Sequence, residues 1–215
     1  MPEPVPEPRS DVVLPTPRFI DEPVAWWAEH TPDAEAVSYL ERTWTWREWE
    51  ARVRRAAGAL RGLGVGRGDV VAFLDKNHPA CVELSLAAGS LGAANAIVNW
   101  RLAGDEVDYT VNDCGAKVLV VGSDLMPLVT SLRDRLPAVE HVVEVTPGGG
   151  PHDAYERLLA EATPTQRGRG FLTRRRVPGD ILLRHHGSAQ GDHADPYQHG
   201  AAHAQRPRWL GLRAG

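Results

Sequence analysis

The chain has 215 residues, a hydrophobic content of 42% and a formal net charge of -4. That length suits one domain or slightly more, and the apolar fraction is enough to build a core. The small net charge and a pI near 6.1 give no electrostatic reason to expect nucleic acid or an anionic membrane surface as a partner.

The N-terminal segment and the cysteines favour a cytoplasmic protein. Residues 1–11 are rich in proline and glutamate and contain no apolar run, so no secretory signal is expected. The chain has no stretch of about 18 apolar residues, so no membrane span is predicted. Cys81 and Cys114 are isolated in sequence, which is typical of reduced thiols in the cytosol.

The first 63 residues predict an extended lead-in followed by three short elements. Six prolines make residues 1–20 unsuitable for helix or sheet. A short helix is expected after Asp21, and residues 36–40 and 42–45 predict two strands around a tight turn. Thr45 and Glu48 then form a capping-box pattern at the start of a longer amphipathic helix.

Strands and helices alternate from residue 70 to residue 162. The predicted strands are 70–74, 96–98, 117–121 and 141–145, and the predicted helices are 80–91, 105–114, 125–136 and 155–162. Asp105 is expected to cap the second of these helices. The strands are continuously apolar, which is typical of a parallel sheet with helices on both faces. The predicted fold class is therefore α/β, with a mostly parallel sheet.

Two features of this region resemble binding sites, but structural roles are favoured for both. The glycines of residues 64–69 follow a helix and precede a strand, which is the reverse of the order in a phosphate-binding loop. A structural turn is the favoured interpretation. Five tryptophans lie between Trp26 and Trp49, where packing is favoured over stacking on a ligand.

The last 50 residues have a different composition. Nine arginines and five of the nine histidines follow residue 166, with few aliphatic clusters. Candidate metal ligands there are His185, His186, Asp192, His193, Asp195, His199 and His203. His199 and His203 have the spacing of ligands on one helix face. Nearby glycines and a proline disfavour such a helix, so an unstructured tail is the favoured prediction.

A family resemblance emerges from motifs that occur in order through the middle of the chain. They include TWTWREWE, GVGRGDV, NAIVNWRL and KVLVV. The matching positions are 64–70, Asn77, Gly92, Asn99, Arg101, Leu102, Glu106 and 117–121. With these motifs, residues 26–145 resemble the N-terminal part of the adenylate-forming enzymes, specifically the acyl-CoA synthetases (fatty-acid–CoA ligases).

The resemblance implies a function for the whole family. Its members convert a carboxylic acid and ATP to an acyl-adenylate and pyrophosphate, then transfer the acyl group to CoA, and they use Mg. Residues 21–165 would form part of the AMP-dependent synthetase/ligase N-terminal domain. A fatty acid is the favoured substrate of a full-length member, which would take part in fatty acid metabolism.

The family's phosphate loop should follow within a few tens of residues as a Ser/Thr/Gly-rich run ending in Pro-Lys-Gly, and the printed frame lacks it. No catalytic, cofactor-binding or metal residue is therefore assigned in this chain. We expect it to bind no cofactor and to be an inactive fragment on its own.

A change of reading frame explains the missing loop. If each codon from Leu182 onward is read one base later, suitable wobble bases give Ser-Ser-Gly-Thr-Thr-Gly-Ala-Pro-Lys-Gly through Gly191. All positions to Gln198 admit a family-like residue, which is improbable by chance. Residues 166–215 are therefore predicted to be an out-of-frame, unstructured tail.

Two other functions stay open at this point. The chain is a candidate for a non-catalytic binding or interaction module built on a truncated ligase fold. It is also a candidate for a small metal-binding protein that uses its histidine-rich tail.

Overall fold

The computed structural model describes residues 20–150, 152–166 and 208–210. The helices are α1 (Glu22–His30), α2 (Trp46–Gly62), α3 (Pro79–Ser90), α4 (Gly104–Asp113), α5 (Met126–Ser131) and α6 (Ala154–Glu161). The strands are β1 (Glu35–Tyr39), β2 (Arg42–Thr45), β3 (Val70–Leu74), β4 (Ala94–Val98), β5 (Ala116–Gly122), β6 (His141–Val145) and β7 (Arg208–Leu210).

A parallel sheet with the order β4-β3-β5-β6-β7 organises the fold. Helices α2, α3 and α6 bury their apolar residues against one face, and α4 and α5 cover the other. The strands lie between two helical layers and are apolar on both sides, as in other parallel sheets. The predicted α/β class and parallel sheet are confirmed.

The hairpin of β1 and β2 lies outside the main sheet. It packs with α1 and α2 around a smaller cluster that contains Val24, Trp44, Trp49 and Val53. The predicted capping box at the start of α2 is present, because Thr45 Oγ1 accepts from the Glu48 N–H while the Glu48 carboxylate accepts from the Thr45 N–H.

Two details of the predicted helices are wrong. Asp105 does not cap α4; the N-cap is Ala103, whose N–H donates to the Glu106 carboxylate at 2.8 Å. The helix predicted over 125–136 is interrupted, since α5 ends at Ser131 and a 3-10 turn, Arg133–Arg135, follows. Arg135 in that turn donates to Asp105 at 2.8 Å, so the Asp105 side chain pairs with the turn and not with the N-terminus of α4.

Strand β7 lies within the segment predicted to be unstructured. Residues Arg208–Leu210 pair in parallel with His141–Val143 of β6. An otherwise open edge at β6 can accept any extended segment, because its backbone groups are available for pairing. Residues 167–207 and 211–215, and residues 1–19 of the predicted lead-in, lie outside the described residues.

Candidate functional site

The carboxyl ends of the parallel strands form the edge where a ligand site is expected. Open α/β sheets bind ligands there, at the point where the strand order reverses. The reversal lies between β3 and β5, because the chain passes from β3 to β4 on one side and then to β5 on the other. The residues that follow β3 and β5 therefore define the candidate site.

Charged side chains from these two loops meet across the strand ends. Lys76 Nζ donates to Asp124 Oδ2 at 2.8 Å, and both side chains are more than half exposed. Asp75 lies against Gly122, where any Cβ would collide with the Asp75 carboxylate. Burial raises the pKa of Asp75 above its ordinary value. Because Gly122 at the end of β5 has no Cβ, the Asp75 carboxylate can occupy this position.

His78 connects this edge to the β1–β2 hairpin. Its Nδ1 accepts from the Ala80 N–H at 3.1 Å, so it serves as the N-cap of α3. Its ring meets the Tyr39 ring edge-on, with centroids 5.1 Å apart. Burial lowers the pKa of His78 and so favours the neutral imidazole. Nδ1 can accept a hydrogen bond only in this neutral form, where it carries no proton.

Two cations lie beside the indole ring of Trp100, which follows β4. Lys76 Nζ is 5.6 Å from the ring centroid, and the Arg101 guanidinium carbon is 4.5 Å from it. Cations at these distances are attracted to the face of the ring. The carboxyl edge is therefore a polar surface with positive charge at the β4 end.

A side chain pairs with one backbone N–H at the start of three of the helices that begin at this edge. A helix N-terminus binds phosphate through backbone N–H groups that lack partners. His78 already caps α3, the Glu106 carboxylate accepts from Ala103 at α4, and Asp153 accepts from the Glu156 N–H at α6. Helix α5 has only six residues and follows a 3-10 turn directly. No Ser/Thr/Gly-rich run that ends in Pro-Lys-Gly occurs among the described residues.

A second charged cluster is buried between helices. Arg52 of α2 donates to Glu83 of α3 and to Glu156 of α6, the latter at 2.9 Å. Tyr155 Oη donates to Glu83 Oε2 at 2.9 Å, and Glu83 is fully buried. These groups satisfy one another, so their role is to join three helices on one face of the sheet.

The glycine-rich segment 64–69 and the N-terminal tryptophans both have structural roles. Residues 64–69 form a turn in which the Gly66 N–H donates to Asp69 Oδ2 at 2.8 Å and Lys117 Nζ donates to Gly64 O at 2.8 Å. Trp44 and Trp49 are buried in the cluster beside the hairpin, and Trp27 stacks on Trp46 with centroids 5.7 Å apart.

The tail histidines and acids from His185 to His203 lie outside the described residues. Within the ranges 20–150 and 152–166, no group of three or more His, Cys, Asp or Glu residues has the arrangement of a metal site. No helix of the described part is long and apolar enough to cross a membrane.

Sequence reasoning missed both the carboxyl-edge cluster and the buried ion pairs. A signal for the first was available, because the polar residues from Asp75 to His78 directly follow a buried strand. The buried ion pairs had no local signal in the sequence. Arg52, Glu83 and Glu156 are far apart in sequence, and only the packing of three helices brings them together.

An open parallel α/β domain with a polar carboxyl edge belongs to a class that often binds nucleotides or cofactors. The family model of the AMP-binding enzymes matches residues 24–192. The chain belongs to the AMP-binding enzyme family.

The chain is also similar to individual acyl-CoA ligases. A long-chain-fatty-acid–CoA ligase of Thermus thermophilus is 41% identical over 120 residues, which are 54% of this chain and 22% of that protein. A feruloyl-CoA synthase of an Amycolatopsis species is 42% identical over 117 residues, which are 53% of this chain and 24% of that protein. The chain thus spans about a quarter of the length of these curated relatives.

Solved structures of acyl-CoA ligases share the fold. The anthranilate-CoA ligase AuaEII, in complex with anthranoyl-AMP, is 25% identical with a TM-score of 0.64, and the match covers 72% of this chain and 30% of that one. The N-terminal domain of FACL13 from Mycobacterium tuberculosis is 27% identical with a TM-score of 0.61, covering 68% and 37%. The matched region corresponds to the N-terminal part of these ligases.

Proposed function

We propose that this chain is the N-terminal part of an AMP-forming acyl-CoA ligase and that it forms no acyl-adenylate by itself. In the complete enzyme, the reaction would join a carboxylic acid to ATP with release of pyrophosphate, and then transfer the acyl group to CoA. The family membership supports the reaction class, and the lack of the family's phosphate loop in the printed frame supports the restriction.

The observation that carries the inactivity is the lack of the family's phosphate loop in the printed frame. Transfer chemistry on ATP needs backbone N–H groups and a lysine that neutralise phosphate charge. The printed sequence contains no Ser/Thr/Gly-rich run that ends in Pro-Lys-Gly.

A long-chain fatty acid is the favoured substrate of the complete enzyme, since the Thermus thermophilus relative is a long-chain-fatty-acid–CoA ligase. An aromatic acid is the alternative, because the Amycolatopsis relative is a feruloyl-CoA synthase. The cytoplasm is the proposed location.

ATP–pyrophosphate exchange with the full chain tests this proposal. The acid panel should contain long-chain fatty acids and aromatic acids such as ferulate, with the Thermus thermophilus ligase as positive control. We expect no exchange above a blank without enzyme. Exchange with any acid in the panel would contradict the proposal, and the acid that supports it would identify the substrate class.

A further inference from the structure

Apolar side chains are exposed along the outer side of α3 and on the neighbouring strand β4. Val82 of α3 is 52% exposed, and Ile97 of β4 is 66% exposed. Ile97 lies on the α3 side of the sheet, because Asn95, two positions earlier in the strand, donates to Ser85 Oγ of α3 at 2.9 Å. Helix α3 and strand β4 thus present apolar groups on the same side of the molecule.

Ile20, where the described residues begin, lies against this side of α3. A Cβ at Gly89 would be 2.5 Å from Ile20 Cγ2, so only glycine allows this close approach. Gly89 and Val82 are seven positions apart in α3, which places them on one face of the helix, about 10 Å from each other. Ile20 is itself 52% exposed. The exposed side chains of Ile20, Val82 and Ile97 therefore form a strip, the α3 strip, with Ile20 at one end.

The residues directly before Ile20 have a sequence that suits this strip. The apolar residues between positions 12 and 19 are Val12, Val13, Leu14 and Phe19. Pro15 and Pro17 disfavour a helix and favour an extended chain, which has no internal backbone hydrogen bonds. The matched family region begins at residue 24, so residues 12–19 lie outside it and are a feature of this chain.

We propose that residues 12–19 form an extended strap that runs from Ile20 along the outer face of α3 and covers the α3 strip. At about 3.1 Å per residue, an extended chain from Leu14 to Ile20 spans about 19 Å. That length exceeds the distance from Gly89 to Val82, so residues 12–14 can reach Val82 and Ile97. The lead-in would then be part of the folded unit. The inference does not depend on catalytic activity.

Trypsin cleavage of the full chain tests the strap, because cleavage of a folded segment follows the population of its open form. Arg18 lies inside the strap, and Arg9 lies before it. We expect cleavage after Arg18 to be about tenfold slower than cleavage after Arg9, with each rate normalised to that of the urea-unfolded chain. Mass spectrometry of the N-terminal fragments distinguishes the two sites.

Two substitutions should remove the protection of Arg18. Leu14→Asp changes the strap and Val82→Asp changes the surface beneath it, and each places a carboxylate in an apolar contact without a partner. Val5→Asp is the matched control for the strap, since it lies before residue 12. Tyr109→Asp is the control for the surface, because Tyr109 is 67% exposed on α4, which covers the other face of the sheet. Both controls should leave Arg18 protected.

Three results would overturn the proposal. They are equal normalised cleavage after Arg18 and Arg9, unchanged protection of Arg18 in Leu14→Asp, and protection that disappears on dilution. The last result would identify a second copy of this chain as the cover of α3. Leu14→Asp alters no described residue, so the test does not depend on whether Val82→Asp folds. The cleavage readout is also separate from pyrophosphate exchange.

Discussion

Gly58 and Gly62 lie one turn apart on α2 and have opposite surroundings. A Cβ at Gly58 would collide with the carbonyl oxygen of Thr163, whereas nothing lies within 4 Å of a Cβ at Gly62. The close approach at Gly58 allows Thr165 to pair with α2, where its N–H donates to Arg54 O at 3.1 Å. The two glycines should therefore respond in opposite ways to alanine.

Gly58→Ala is expected to destabilise the fold by about 1–3 kcal/mol, because the segment around Thr163 must move away. Gly62→Ala should stabilise it by about 0.5–1 kcal/mol, because alanine is the better helix former. Urea unfolding of both variants measures the difference. Equal effects of the two substitutions would show that the segment does not pack on α2.

His78 predicts a pH dependence of stability. Burial holds the pKa of His78 below the ordinary value of 6.5. The folded state therefore binds fewer protons than the unfolded state, and stability falls as the pH drops below about 6.5 through the lowered pKa. His78→Asn keeps a cap that does not titrate, so its unfolding free energy should depend less on pH between 7 and 5.5. An unchanged slope would contradict the role of His78.

At the scale of secondary-structure elements, α2, α3 and α6 are joined by buried charges. Arg52→Met would leave the carboxylate of Glu83, which is fully buried, without its cationic partner. Removal of one member of a buried pair costs about 3–5 kcal/mol. The matched control is Arg47→Met, whose pair with Asp33 is exposed and should contribute less than about 1 kcal/mol.

Denaturant unfolding distinguishes the two variants, and Arg52→Met combined with Glu83→Met should recover part of the loss because no buried charge is then unpaired. Similar losses for Arg52→Met and Arg47→Met would show that the network does not hold the helices together.

Most elements could be predicted from local patterns, while their exact ends depended on distant partners. The capping box of Thr45 and Glu48 and the apolar run from Val70 to Leu74 were sufficient to predict α2 and β3. The start of α4 and the end of α5 were not predictable in this way. There Asp105 pairs with Arg135, which is 30 positions away, and no local pattern contains that contact.

The candidate site also depends on partners that are distant in sequence, although the residues that form it follow predictable strands. The switch point of the sheet followed from the order of the strands in space, which alternation along the chain does not determine. Asp75 and Asp124 are 49 positions apart in the sequence and belong to neighbouring strand ends only because β5 pairs with β3. The glycine that makes room for Asp75 is likewise contributed by another strand.

For the whole molecule, we propose that a ligase N-terminal part is followed by residues read in another frame. The described fold extends through residue 165, where the Thr165 N–H donates to Arg54 O and Arg54 Nε donates to Thr165 O. The family match, however, continues to residue 192. A tail in its original frame would explain that match directly. The original-frame and changed-frame explanations therefore predict different base sequences for the gene.

The base sequence of the gene from codon 160 onward tests this proposal. We predict bases of the form CCN-AAG-GGN across the codons for Ala189, Gln190 and Gly191, one base out of the printed frame. Removal of one base between the codons for about Thr163 and Arg174 should open a frame of several hundred codons that encodes the rest of a ligase. A shifted frame that closes within a few tens of codons, or wobble bases that spell other residues, would contradict the account.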